Sequence, residues 1–242
     1  MKKIFILIAV ILSLPSASAI SYVLPEYKIS SAEMQMPAEE VLRKYDLELG
    51  NIYGSTRISK LREHRRDKKV RLTAPEKEAA GRYRQLEVPI RFWKYIVDLK
   101  EKLIALPGTS DLEKSRREAD LMAKMIVQEI YDISQRYQIN FTALFRNYQI
   151  NRKTSERGFC YHYVSDILRV LMSQNWKYFD LHWGEAYAKT FRENNALVIT
   201  VAGAPFETGL AIDVWRTGGR PFWRSVKGDR FPWQEAPLAI YE

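Results

Sequence analysis

Cysteine is nearly missing from this chain. One thiol, Cys160, in 242 residues excludes an internal disulfide framework and any zinc site built on several thiolates. Histidine is almost as scarce: His64, His162 and His182 leave little material for a histidine-rich metal site, and no two of them stand at zincin spacing. No glycine-rich loop is set up to cradle a phosphate, since Thr217-Gly-Gly219 lacks a following Lys-Ser/Thr. No cofactor is therefore expected. Acidic residues fall short of basic ones, 29 against 38, and the resulting +9 suits a surface that meets anionic polymers without proving one. Repeats and low-complexity tracts are absent as well.

What is present is enough apolar mass, 46 % of residues, to build a core, at a length that fits one large domain or two small ones. The chain opens with Lys2 and Lys3, an apolar run from Ile4 to Leu14, Pro15, and the small residues Ala17-Ser18-Ala19. That order is a secretory signal peptide over residues 1–19, too short at its apolar centre for the roughly 20 residues that span a bilayer. The mature chain is expected to start near Ile20, to keep no integral membrane segment, and to work in the periplasm or the medium of a bacterium. Loss of Lys2 and Lys3 lowers its charge from +9 to +7.

Residues 20–74 read as an extended, basic linker region in which only Pro37 to Tyr45 looks helical. Between Arg57 and Arg71 stand eight Lys/Arg against Glu63 and Asp67, either a contact strip for an anionic polymer or a solvated run without aromatic stacking platforms. Residues 75–152 form a helical region. A short helix is expected from Pro75 to Leu86, another from Val88 to Leu106, and a longer one from the Ser110-Asp111 cap to about Tyr137, with Leu121, Met122, Met125, Ile126, Ile130 and Ile133 facing a core. Phe141 to Ile150 reads as one more short helix. Residues 153–242 change texture. A turn at Gly158 opens a helix to Met172, then come apolar strands at Ala196–Val201, Leu210–Trp215 and Phe222–Val226. A helix followed by an antiparallel meander makes the fold class α+β.

Cys160 lies in the first turn of its helix, where free N–H groups and the helix dipole favour a thiolate. It also shares a face with Val164, Ile167, Leu168 and Leu171, as a buried structural cysteine would. A nucleophile needs a base and a group to orient it. His182 is the available base, because His162 sits about 200° around the helix from Cys160 and His64 falls in the basic strip. Asp213 stands in an apolar strand, either as an edge charge or as a buried carboxylate with a purpose. Five of the six tryptophans crowd the last third, with Arg216, Arg220 and Arg224 beside them, as core or as a groove for a peptide or glycan.

Gly158-Phe-Cys160, then Asn195-Ala-Leu-Val-Ile-Thr200, then Ala211-Ile-Asp213-Val-Trp215 resembles the core of the transglutaminase-like cysteine peptidases, a papain-like superfamily. The resemblance implies a Cys on a helix start, a His at a strand start 35 residues on, and an Asp 18 residues further. At the strand start this chain has Asn194-Asn195 instead, and an amide takes no proton at neutral pH. Three arrangements are open: His182 supplies the base with Asn195 or Asp213 as orienter, the strand register differs, or the base is lost. The resemblance implies an exported cysteine hydrolase or acyl-transferase acting on amide bonds of a peptide, protein or cell-wall peptide. In that arrangement Cys160 attacks, His182 carries the proton, and Asp213, aided by Asn195, orients the imidazole. The alternative is an inactive periplasmic binding or assembly protein on the same scaffold.

Overall fold

The computed structural model describes residues 23–55, 60, 67, 69–109, 112–138, 147, 149–153 and 156–241. The expected signal peptide, the Ser110-Asp111 cap and most of the expected helix from Phe141 to Ile150 lie outside these residues, as do His64 and Arg57, Arg62, Arg65, Arg66 and Lys68 of the basic strip. Helices α1 (Ser31–Gln35), α2 (Ala38–Ser55), α3 (Ala74–Ile104), α4 (Leu112–Tyr137) and α5 (Cys160–Leu171) precede strands β1 (Phe179–Ala186), β2 (Asn194–Val201), β3 (Leu210–Ile212), β4 (Trp223–Ser225) and β5 (Gln234–Ala236). Helices first and an antiparallel sheet after them make the fold α+β. No helix among the described residues is long and apolar enough to cross a membrane.

The helices pack in chain order, α2 on α3, α3 on α4, α4 on α5, and α5 against β2. One apolar core runs through all of them, from Leu24 and Val41 through Trp93, Ile126 and Leu168 to Leu197 and Ile212. Residues 23–29, expected in a loose linker, are stitched to α4. Leu24 N donates to Ser134 Oγ at 2.8 Å, Ile29 N to Gln128 Oε1 at 2.9 Å, and Gln128 Nε2 returns a bond to Tyr27 O at 3.0 Å. Lys124 is buried but not isolated: it meets Asp120 at 2.5 Å and donates to the carbonyls of Met36 and Met34. Asp120 in turn accepts from the first amide of α2, Ala38 N, at 2.9 Å. A buried ammonium is tolerable only when its donors are spent in this way.

Two helices expected on either side of residue 87 are one. α3 runs through Pro89, whose missing N–H forfeits a bond and costs about 3 kcal/mol in an ordinary helix interior. Burial of Leu86, Ile90, Phe92 and Trp93 around it, each worth about 1.5–3 kcal/mol, outweighs that loss. A Thr73–Glu76 capping box fixes the start of this long helix.

The sheet order is β4-β3-β2-β1-β5, with every pairing antiparallel. β2 starts two residues earlier than its apolar run suggested, because Asn194 and Asn195 stay in register with Ala186 and Glu185. It is covered on both faces: Leu197 and Ile199 enter the helix-side core, while Ala196 and Val198 join Ala186, Phe206, Ala211, Val226 and Trp233 in a second cluster on the far side. β1 was not expected as a strand, since Asp180, His182, Gly184 and Glu185 dilute its pattern. Its alternate residues Phe179, Leu181 and Trp183 nevertheless pack on the helix-side core. β3 ends at Ile212 rather than Trp215 because Asp213 accepts from Arg216 N at 3.1 Å and folds the next residues into the 3₁₀ turn Trp215–Thr217.

Asp166 of α5 ties the end of α4 to the segment before Cys160. Its carboxylate accepts from Tyr137 (2.7 Å), Arg157 (2.7 Å), Arg136 (3.0 Å) and Arg169 (3.1 Å). Burial pushes its pKa up, but Tyr137, Arg136 and Arg157 outweigh burial and hold it below the usual carboxylate range. A depressed folded-state pKa contributes stability that is complete above the unfolded value and is lost as pH falls through the folded one. Asp166→Asn is expected to cost about 2 kcal/mol, less than the 3–5 kcal/mol of a fully buried pair because the arginines reach water. In urea titrations the gap between variant and parent should hold between pH 5 and pH 8 and narrow below about pH 4. An unchanged gap at low pH would contradict the ion-pair account.

Candidate functional site around Cys160

Gly158 has φ +127°, open to glycine and costly for other residues, and this conformation turns the chain into α5. His162, four residues on, reaches back so that Nδ1 accepts from Gly158 N at 3.0 Å and Phe159 N at 3.2 Å. That ring nitrogen must be unprotonated to accept. Burial, then the charge of Arg157, lowers the His162 pKa to about 4, so the bonds persist at neutral pH. His162 is thus a helix cap, and Cys160 begins the helix with 7 % of its surface exposed.

The sulfur faces an amide. Asn195 Nδ2 lies 3.3 Å from Cys160 Sγ, and Asn195 Oδ1 accepts from the Trp183 indole N–H at 2.7 Å. Indole nitrogen only donates, so Trp183 fixes which end of the amide is oxygen and leaves the NH₂ end for the sulfur. Cys160 Sγ also stands 4.0 Å from the carbonyl of Glu193. Burial pushes the thiol above its ordinary pKa; the Asn195 and Tyr161 donors pull it down, and the charge of Asp213 pushes it up again, for a net upward shift. Helix-start placement alone would have lowered it.

The structure does not bring His182 to this sulfur. Side chains alternate across a strand, and His182 is the neighbour of Trp183, so the two rings leave opposite faces of β1. Trp183 is on the face with Asn195 and Leu197, whereas His182 packs edge-on against Phe206 of the far-side cluster. Both imidazole nitrogens are engaged there: Nδ1 lies 2.6 Å from Glu235 Oε1 and Nε2 lies 2.9 Å from Thr200 Oγ1. The catalytic pairing of Cys160 with His182 expected from the sequence is therefore not formed. The register explanation also falls away, since Asn195 itself occupies the position opposite the sulfur.

Asp213 is buried, as one of its two readings required, but it orients no imidazole. Asn194 Nδ2 donates to it at 2.7 Å and Arg216 Nε at 2.7 Å. Arg216 forks onward to both oxygens of Asp229, at 2.8 and 2.6 Å, between the rings of Phe222 and Phe231. Burial pushes the Asp213 carboxyl up while Arg216 and Asn194 pull it down. With a guanidinium in direct contact, the ion pair is the state this geometry holds.

Sequence reasoning singled out Cys160, Asn195 and Asp213, of which the structure brings Asn195 to the sulfur and turns Asp213 to Asn194 and Arg216; it missed the cap formed by His162, the hold of Trp183 on Asn195, and the Asn194–Asp213–Arg216–Asp229 chain. A His four residues after Gly158 was a visible cue for the first; the others join residues far apart in sequence. The tryptophans are mainly packing: Trp93, Trp183 and Trp233 are buried. In the basic strip, Lys60, Lys69 and Arg71 are described, and Lys60 is paired with Glu76 at 2.7 Å. Among the described residues no group of three His, Cys, Asp or Glu could hold a metal ion.

Thiol labelling should follow this geometry. With a thiol pKa above the ordinary value of about 8.5, the labelling rate is expected to stay low through pH 8 and to rise only beyond it. Asn195→Asp, which sets a negative charge beside the sulfur, should move the profile higher still. A profile with its midpoint near pH 7 would mean an activated thiolate.

No family model matches this chain, and neither does any curated protein or solved structure.

Proposed function

We propose that the chain is an exported, non-catalytic binding or assembly protein whose scaffold resembles the transglutaminase-like cysteine peptidases. One observation carries this reading. An amide NH₂ that cannot accept a proton stands 3.3 Å from the Cys160 sulfur, while the His182 ring is spent on Glu235 and Thr200 across the sheet. Acyl transfer from an amide requires a base at the nucleophile and a thiolate available near neutral pH. The raised thiol pKa supports the same conclusion from the other side. Export rests on the leader at residues 1–19, and the partner class that suits the scaffold is a peptide or protein segment.

Incubation of the mature protein at pH 7 with peptide amides and with an activated ester, followed by intact-mass analysis, tests this. No acyl adduct on Cys160 and no amide turnover are expected. An adduct that disappears in Cys160→Ala would overturn the reading and restore the hydrolase or acyl-transferase. Asn195→His puts an imidazole where the amide stands, and should raise thiol labelling at pH 7 by about tenfold or more.

A further inference from the structure

Beyond β5 the chain leaves the sheet edge without regular secondary structure and brings Tyr241 back to the start of α5. Tyr241 N donates to Ser165 Oγ on α5 at 3.0 Å. The Tyr241 ring lies 5.1 Å from the ring of Tyr161 and 5.4 Å from that of Trp183. Those neighbours are the walls of the site: Tyr161 follows Cys160, and Trp183 holds the Asn195 that faces the sulfur. Tyr241 therefore covers the seam between β1 and the first turns of α5. The hold of residues 237–241 is light, since Leu238, Ile240 and Tyr241 stay 52 %, 44 % and 45 % exposed. A segment so exposed, outside the sheet ladder, is of the kind that opens locally while the domain stays folded.

We propose that this seam is a groove for a peptide segment of a partner protein that carries an aromatic residue, and that Tyr241 fills it as the anchor of a displaceable strap, residues 237–241. The groove offers an aromatic slot between Tyr161 and Trp183 and a hydroxyl acceptor, Ser165 Oγ, for a backbone N–H. The occupant it selects has an aromatic side chain beside that N–H, as the chain's own Tyr241 has. Backbone hydrogen bonding with side-chain slots is a general way to read an extended peptide. This inference deepens the binding reading above and rests on it, because an occupant held beside Cys160 is bound rather than cut. A tethered strap competes at a high effective concentration, so it sets a threshold that a partner must exceed.

Cys160 is the only thiol, so its labelling reports on this seam alone. The test compares the full mature chain, a chain ending at Ala236, and full-length Tyr241→Ala at pH 9, with the synthetic peptide Pro-Leu-Ala-Ile-Tyr-Glu as probe. Labelling is expected to be about tenfold faster or more in both altered chains, and the peptide should restore protection saturably in the shortened one. The full chain should need about tenfold more peptide or more to show binding, and a peptide with Ala for Tyr should protect neither. Should the shortened chain fail to fold by circular dichroism, Tyr241→Ala and Ser165→Ala decide the matter. Equal labelling in all folded forms, or equal protection by the Tyr and Ala peptides, would overturn the groove. So would a concentration-dependent dimer of the full chain that the shortened chain does not form, which would assign the seam to a second copy's strap. Cleavage of the peptide, or an acyl adduct on Cys160, would sink the non-catalytic reading while leaving the groove; absence of binding without cleavage would do the reverse.

Discussion

The two-residue period of β1 governs what this molecule can do at its one thiol. Trp183 and His182 are adjacent in sequence and therefore leave opposite faces of the strand. Trp183 enters the helix-side core and orients the Asn195 amide toward Cys160, while His182 meets Phe206, Thr200 and Glu235 on the other face. Moving the imidazole to the sulfur would require β1 to slip by one residue. That slip would expel Phe179, Leu181 and Trp183 from the core, so the apolar packing enforces the separation.

The helices hold the other half of the site still. α5 is wedged between α4 and β2, and its first turn is capped by its own His162 rather than by a Ser, Thr or Asp. Asp166, one turn further along, gathers Tyr137 from α4 and Arg157 from the approach to Gly158. Cap and carboxylate together fix the backbone on both sides of Cys160. The positive end of a helix usually favours a thiolate, yet enclosure here is tight enough for desolvation to win. Position at a helix start is thus insufficient to activate a thiol when solvent is excluded and no cation or base is beside it.

The carboxylate that the resemblance assigns to orienting a histidine has a structural task in this chain. Asp213 ends β3, caps the following 3₁₀ turn and anchors Arg216, which in turn grips Asp229 near Trp233. This chain of charge-assisted bonds joins the β3 end to the loop before β5, and hence to the strap beyond it. Asn194 supplies the remaining donor, so the adjacent asparagines divide the work: one serves the carboxylate, the other the sulfur.

The sequence by itself determined the α+β class, the long amphipathic α4, the turn at Gly158 into α5 and the buried β2, because each is written in a local period of apolar residues or in a turn glycine. The resemblance implied that Asn195 stands at the strand position facing Cys160, and only the structure places its amide 3.3 Å from the sulfur. Local pattern misjudged α3, where a proline reads as a break until the burial of Leu86, Ile90 and Trp93 is seen to outweigh it. It also passed over β1, whose polar face is covered only by contacts with the far-side cluster. Which face His182 takes, what Trp183 and Asn194 hold, and where residues 237–241 lie were decided by tertiary structure alone. Each depends on partners many residues away, and no local period records a long-range contact.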